Sequence, residues 1–308
     1  MATAIVPGPI AGIDAGDEYA IERHGIWKRF KRHRFALVSG VILVLIVGAA
    51  ALAPLLHLQD PNAIDSINWK GDPLPPGFAG HLLGTDELGR DLLARLIYGA
   101  QISLTVAFSA VLMEVVIGTV LGALAGYYGG VVDYVIMRVT DVFLSIPLLP
   151  LLLVLTAIVS ATSSKAALGF GVIVIIIGAL SWMQVARLVR ASFLSLREKE
   201  FAEAARALGN NDLRIIFRHL LPNAVAPIIV SATLDVAGVI ITESTLSFLG
   251  FGIQQPTASW GNMLANSQSN MADAPWVAIF PGLCILVTVL AINYLGDGLR
   301  DALDPNMR

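Results

Sequence analysis

Glu114, Asp141, Asp235 and Glu243 stand within or at the edge of long apolar runs. An ionised carboxyl without a partner is expensive there, so each such residue needs a reason. Asp235 and Glu243 are eight residues apart in one run, about 80° around a helix, so both can face the interior of a bundle. Two chemistries fit carboxyls in this setting. One is a polar lining for a pathway that passes peptides or cations. The other is an interhelical hydrogen bond, with the carboxyl protonated, that fixes packing. Asp235 fits either, and Glu114 reads as packing. The first chemistry raises an ion-coupled secondary transporter using Asp235 or Glu243. Transporters of that kind often carry inverted repeats, and no clear internal repeat is visible.

Other chemistries lack their residues. A phosphate-binding loop needs Gly-Lys ahead of Ser or Thr, and none of Lys28, Lys31, Lys70, Lys165 and Lys199 follows a glycine. The histidines His24, His33, His57, His81 and His219 are scattered without metal-ligand spacing. No Gly-x-Ser-x-Gly elbow is present. The single cysteine, Cys284, lies inside an apolar run and reads as a small buried hydrophobe. The pattern excludes a disulfide framework and disfavours an intramembrane enzyme. Any ATP that drives this chain is hydrolysed by another subunit.

The elements that must position these residues are membrane spans. Of 308 residues, 56% are hydrophobic and 14% charged, with a mean hydropathy of +0.74, and the apolar residues come in blocks too long for core helices. The expected fold class is an all-α membrane protein with six transmembrane helices, near 35–56, 103–125, 135–159, 168–189, 224–246 and 276–295. Pro147 and Pro150 break the third and Pro227 the fifth, as neighbouring helices can tolerate. The first run follows a long polar tail, 1–34, and reads as a signal anchor rather than a cleaved signal. That tail ends in Arg23, Lys28, Arg29, Lys31, Arg32 and Arg34, interleaved with Trp27 and Phe30. Basic residues directly ahead of a span follow the positive-inside rule, and nucleic acid is not implied. With the N-terminus inside, only Lys70, Arg90, Arg95 and Lys165 of the 20 Lys and Arg fall on the outer side. Both termini are therefore expected in the cytoplasm, together with the long loop after the fourth span.

That loop, 201–222, reads FAEAARALGNNDLRIIFRHLLP. Glu203, Ala204 and Ala205 sit in a run of helix formers, and Gly209 supplies a positive-φ stop. Asp212 can cap a second helix whose apolar face is Leu213, Ile216, Phe217 and Leu220, and Pro222 ends it. A helix–elbow–helix between spans is shaped to dock into a groove on another protein. The outer segment 57–100 is irregular through its prolines. It then continues as a helix capped by Thr85 or Asp86, carrying Leu88, Leu92 and Leu96, that lies on the membrane surface. Asp133 in the short inner turn can cap or pair with Arg138. The outer loop 249–275 reads as re-entrant or surface-lying.

Five stretches resemble one family. Glu203-Ala204-Ala205, then Gly209, then Leu221-Pro222 resembles the EAA loop of ABC importer permeases, with His219 where that pattern has Ile. GTDELGRD (84–91), the YYGG turn with Asp133, Arg138 and Asp141, GFGIQQPTASWGNML (250–264) and GDGLRDALDP (296–305) are similar to motifs of the dipeptide/oligopeptide/nickel branch. The resemblance runs from His81 onward. It implies a type I ABC importer permease fold in a bacterial or archaeal cytoplasmic membrane, with a permease core at 101–297, an EAA loop at 197–223 and a C-terminal tail at 298–308. It implies a homologous second permease, two ABC ATPase subunits and an external substrate-binding protein as partners. ATP and Mg would be used by the ATPases, with no cofactor bound by this chain. The ATPase-coupling residues would be Glu203, Ala204, Ala205, Gly209, Asp212, Leu213, Phe217, Leu221 and Pro222. The groove-facing part is either the 203–209 turn or the 213–220 face. Glu243, in ESTLSFLG, resembles a family position near the outer end of the pathway and reads as a gate or structural residue, with Asp235 the other pathway candidate.

Overall fold

The computed structural model describes residues 30–31, 33–162 and 169–303. The tail through Arg29, with Arg32, Lys165, Pro305 and Arg308, lies outside them. Among the described residues, regular structure is helical: α1 (Arg34–Ala51), α2 (Leu92–Tyr128), α3 (Gly130–Leu144), α4 (Leu148–Thr162), α5 (Phe170–Leu196), α6 (Glu200–Ala207), α7 (Asp212–Ile215), α8 (Leu221–Phe248), α9 (Trp260–Asn266) and α10 (Trp276–Leu303). A π-helical turn, Ile216–Leu220, joins α7 to α8. Five continuous helical stretches are long and apolar enough to cross a membrane. The pair α3–α4, bent by 84°, makes a sixth if taken as one broken span. The bend falls at Ser145–Pro147, where proline disfavours a helical residue before it.

The centre of the bundle is the seam between α2 and α5. Gly118, Gly122 and Gly126 recur every fourth residue along α2, on one helix face. A Cβ on Gly118 would lie 2.6 Å from Val185 Cβ, one on Gly122 would strike the Ala186 carbonyl, and one on Gly126 would lie 2.6 Å from Phe193 Cβ. Inside a membrane there is no hydrophobic drive between helices, so close backbone approach through small residues is what gives such a pair its dispersion energy. From the other side, α1 packs on α10, with Ala36 against Gly298, Phe35 stacked on Tyr294 at 5.6 Å and His33 Nε2 3.8 Å from Asp301. The start of α1 and the end of α10 therefore share one end of the bundle.

Segment 52–91 corrects an expectation. No surface helix starts at Thr85 or Asp86. The Asp86 carboxylate accepts from the N–H groups of Leu88 (3.0 Å) and Arg90 (2.9 Å) and closes a loop instead. Gly89 sits at φ +76°, against the face of Trp69, where a helix cannot continue. The helix cap is Asp91, which accepts from Ala94 N–H at 2.7 Å. From there α2 runs 37 residues into the bundle, with Leu92 and Leu96 buried. The charges around it are buried as well. Asp86 Oδ2 holds Arg90 Nε (2.7 Å) and Arg95 Nε (3.1 Å), and His81 lies between Asp91 (2.8 Å) and Asp65 (3.4 Å).

Candidate functional site

The elbow is built from α6, a four-residue turn and α7 with its π-helical continuation. Gly209 takes φ +74°, the left-handed conformation that ends α6. The second cap is Asn211, not Asp212: its side chain accepts from Arg214 N–H at 2.9 Å. Asp212, one residue on, is the first residue of α7, where its charge suits the helix dipole. It receives a hydrogen bond from Tyr127 Oη at 2.7 Å. Pro222 does not stop a helix. It lies in the first turn of α8, just after the π-helical turn, and the chain is helical from Asp212 to Phe248.

The expected apolar face divides in two. Ile215, Ile216 and Leu220 turn inward with Ala202 and Ala205 onto Phe193, Val189 and Ala224. Leu213 is 61% exposed and Phe217 62% exposed, and Leu208 at the elbow tip is 83% exposed. The i, i+3, i+4 pattern marked these positions as apolar, but it did not say which would be covered. Of the remaining positions, Glu203, Ala204 and Gly209 are exposed, and Leu221 is half-buried.

Two arginine side chains fasten this elbow. Arg197 Nη1 donates to the carbonyls of Gly126 (3.1 Å) and Tyr127 (3.3 Å) at the end of α2, and Arg206 Nη2 donates to the carbonyl of Arg197 at 2.8 Å. Nearby, Asp133 is held by Arg190 and Asp141 by Arg187. The local Asp133–Arg138 pairing expected from sequence does not form, and Arg138 instead lies over the Tyr134 ring at 5.3 Å. The acids and arginines were visible in the sequence, but their pairing requires knowing that the turn after α2 lies against the end of α5.

Of the span carboxyls, Asp141 goes to Arg187 of α5, and Glu114, Asp235 and Glu243 gather at α2. Glu114, on α2, faces Asp235 of α8, and Asp235 accepts from Ser231 Oγ at 3.1 Å. Glu243 is fully buried and accepts from Ser103 Oγ on α2 (3.2 Å) and Ser247 Oγ (2.7 Å). Ser103 Oγ also accepts from Trp260 N–H at 3.3 Å, and Ser247 Oγ from Ile253 N–H at 3.1 Å. Glu243 therefore ties α2, α8 and the loop carrying α9 into one knot. Trp260 closes it, donating Nε1–H to the Leu96 carbonyl at 3.1 Å. The structure thus sends Asp235 and Glu243 to separate partners. The Glu114–Asp235 pairing had a sequence signal, two carboxyls in apolar runs, but no register to join them.

A family model described as the binding-protein-dependent transport system inner membrane component matches residues 118–308. The chain belongs to this family. A model of the N-terminal transmembrane domain of oligopeptide transport permease C matches residues 23–76 of the same permease. It is 40% identical over 282 residues to the dipeptide transport system permease protein DppC of Alkalihalophilus pseudofirmus, covering 92% of this chain and 89% of the relative. With the glutathione transport system permease protein GsiD of Pectobacterium atrosepticum it shares 41% identity, covering 92% of this chain and 90% of the relative. The oligopeptide transport system permease protein OppC of Haemophilus influenzae is 38% identical, with 96% and 93% covered. In fold, this permease resembles a chain of the methionine ABC transporter MetNI, with a TM-score of 0.57 at 20% identity, over 69% of this chain and 98% of that one. The permease is a transport component of the ABC importer type, and the ion-coupled alternative is not favoured.

Proposed function

We propose that this permease forms half of the translocation pathway of an ATP-driven importer of short peptides, and that the 200–220 elbow is where an ATPase subunit acts on it. The observation that carries the coupling reading is the elbow's division into two faces. Its inner face is bolted to α2 and α5, while Leu208, Leu213 and Phe217 on the other face are mostly exposed. Large apolar side chains on a firmly mounted helix pair are the anchors of a protein–protein contact. The charge bias supports an elbow and both termini in the cytoplasm, which would leave the loop carrying α9 on the outer side, facing a substrate-binding protein. A second, homologous permease would complete the pathway in the inner membrane of a bacterium or archaeon. ATP and Mg belong to the ATPase pair. Closure of that pair favours one arrangement of the two permeases through the docked elbows. Peptides are the proposed cargo because the relatives named above carry dipeptides, oligopeptides and glutathione in their names.

Glu203→Lys reverses charge on the exposed first turn of α6, and Gly209→Pro forbids the positive φ of the turn. Both variants should insert and accumulate normally yet abolish uptake of labelled dipeptides by cells that depend on this transporter. Wild-type uptake by both, at wild-type expression, would sink the coupling assignment.

A further inference from the structure

Helix α3 is fastened to the bundle differently from its neighbours. Thr140 is the one buried residue among its 15, and Val131, Val135 and Val142 are each more than half exposed, so apolar burial contributes little to holding it. Its grip comes from α5. Arg190 closes on Asp133 through both Nε and Nη2, the latter at 2.6 Å, and Arg187 Nη2 reaches Asp141 at 2.5 Å. The arginines, three residues apart, are neighbours on one face of α5. The acids are eight residues apart, so the two contacts bracket more than two turns of α3. A cavity of about 240 Å3 lies between them, lined by Tyr134, Met137 and Arg138.

Position gives these pairs their meaning. Just beyond Arg187 and Arg190, α5 ends at Leu196, and the elbow begins at Glu200. Just beyond Asp141, α3 ends at Leu144 and the chain turns by 84° into α4. Helix α2 must follow α5 through the glycine seam, and α3 is joined to α2 through Gly129 at φ +67°; beyond that joint α3 has no such seam, and its orientation rests on the ion pairs. Arg190 holds Asp133 bidentately, a geometry that resists rotation as well as separation.

We propose that Asp133 and Asp141, with Arg190 and Arg187, are positioning residues that make the bent α3–α4 span follow the elbow when the ATPases close. This rests on the coupling reading above. A displacement of the elbow moves the end of α5, the ion pairs carry α3 with it, and the bend at Ser145–Pro147 converts that motion into a change of angle at α4.

The test uses the complex purified with its ATPases and partner permease. Spin labels at Val135→Cys and Val154→Cys, both exposed sites, are placed in a Cys284→Ser background to report the bend. Trapping with ATP and vanadate should shift the label distance in the wild-type pairing. Asp133→Arg or Arg190→Asp alone should lose the shift, and the two together, which restore the pair with its charges exchanged, should regain it. A generic packing defect would not be repaired in this way. Should a reversal prevent assembly, Asp133→Asn and Arg190→Gln take its place with the same expected loss. No shift in the wild-type pairing overturns the proposal, as does failure of the exchanged pair to restore it. A shift that survives the single reversals but disappears in Glu203→Lys overturns it and leaves the coupling reading standing. A shift that survives Glu203→Lys as well brings down the coupling reading itself.

Discussion

Asp86 holds two guanidinium groups and two backbone N–H groups with one buried carboxylate. Removing one member of such a buried set strands the others, at about 3–5 kcal/mol. Asp86→Ala is therefore expected to lose folded permease, seen as collapse of the monodisperse peak in detergent, although residue 86 lies outside the spans. Its neighbour Glu87 acts in the opposite sense. Burial, with the Asp86 charge beside it, pushes the Glu87 carboxyl above its ordinary value of 4.5. Below that value Glu87 is protonated whether the chain is folded or not, and it contributes no difference. Above it the unfolded chain ionises freely while the fold resists, so the native state loses stability as pH rises, until Glu87 ionises in the fold too. Glu87→Gln removes this loss and should raise Tm by roughly 1–3 °C near neutral pH, with the gain closing as pH falls toward 4.5. A gain that grew on acidification would contradict the assignment. Asp65, held below the usual carboxylate range chiefly by its hydrogen bond from the Asn68 side chain, stabilises above that range and ceases to do so on acidification.

Elements were legible wherever a single period decided them. The spans followed from unbroken apolar length, which nothing in water tolerates, and the bend in the third followed from Pro147. The segment 84–91 misled because Thr85, Asp86 and the following leucines have the spacing of a capped helix. What defeats that reading is tertiary: Trp69 occupies the space beside Gly89, and buried arginines claim the Asp86 carboxylate. Neither is expressed in local periodicity. The α2–α5 seam was present as Gly118, Gly122 and Gly126, but a repeat of small residues does not name the helix it meets. The seam makes its own prediction. In Gly122→Leu, a side chain must enter where even a Cβ meets the Ala186 carbonyl, forcing α5 away at a cost of about 1–3 kcal/mol or more. The variant should melt earlier in detergent, whereas Gly48→Leu, on α1 with nothing within 4 Å of its Cβ, should melt like the parent. Equal melting of the two would mean that the seam is looser than the glycine contacts imply.

At the scale of the whole molecule, the elbow has one face in the interior and one exposed, and the proposed ATPase contact gives the two faces separable roles. Sequence periodicity placed Leu213, Ile216, Phe217 and Leu220 on one stripe. The fold assigns Ile216 and Leu220 to the interior and leaves Leu213 and Phe217 outside, because the π-helical turn shifts register midway and α6 covers only part of the stripe. Interior and exterior residues should therefore fail in different ways. Ile216→Ser removes an anchor of the elbow from the cluster around Phe193 and should destabilise the permease by itself. Leu213→Ser with Phe217→Ser changes side chains that are mostly exposed, so the isolated permease should melt unchanged. In the complex those two are candidates for the buried centre of the ATPase contact, where loss of an anchor costs about 2 kcal/mol, or roughly thirtyfold in affinity. The double variant should thus leave its ATPase behind on affinity purification, and added salt should matter little because the lost contact is apolar. Leu208→Ser is the comparison that separates the turn from the second helix. If it alone releases the ATPase while the double variant retains it, the 203–209 turn is the part that docks.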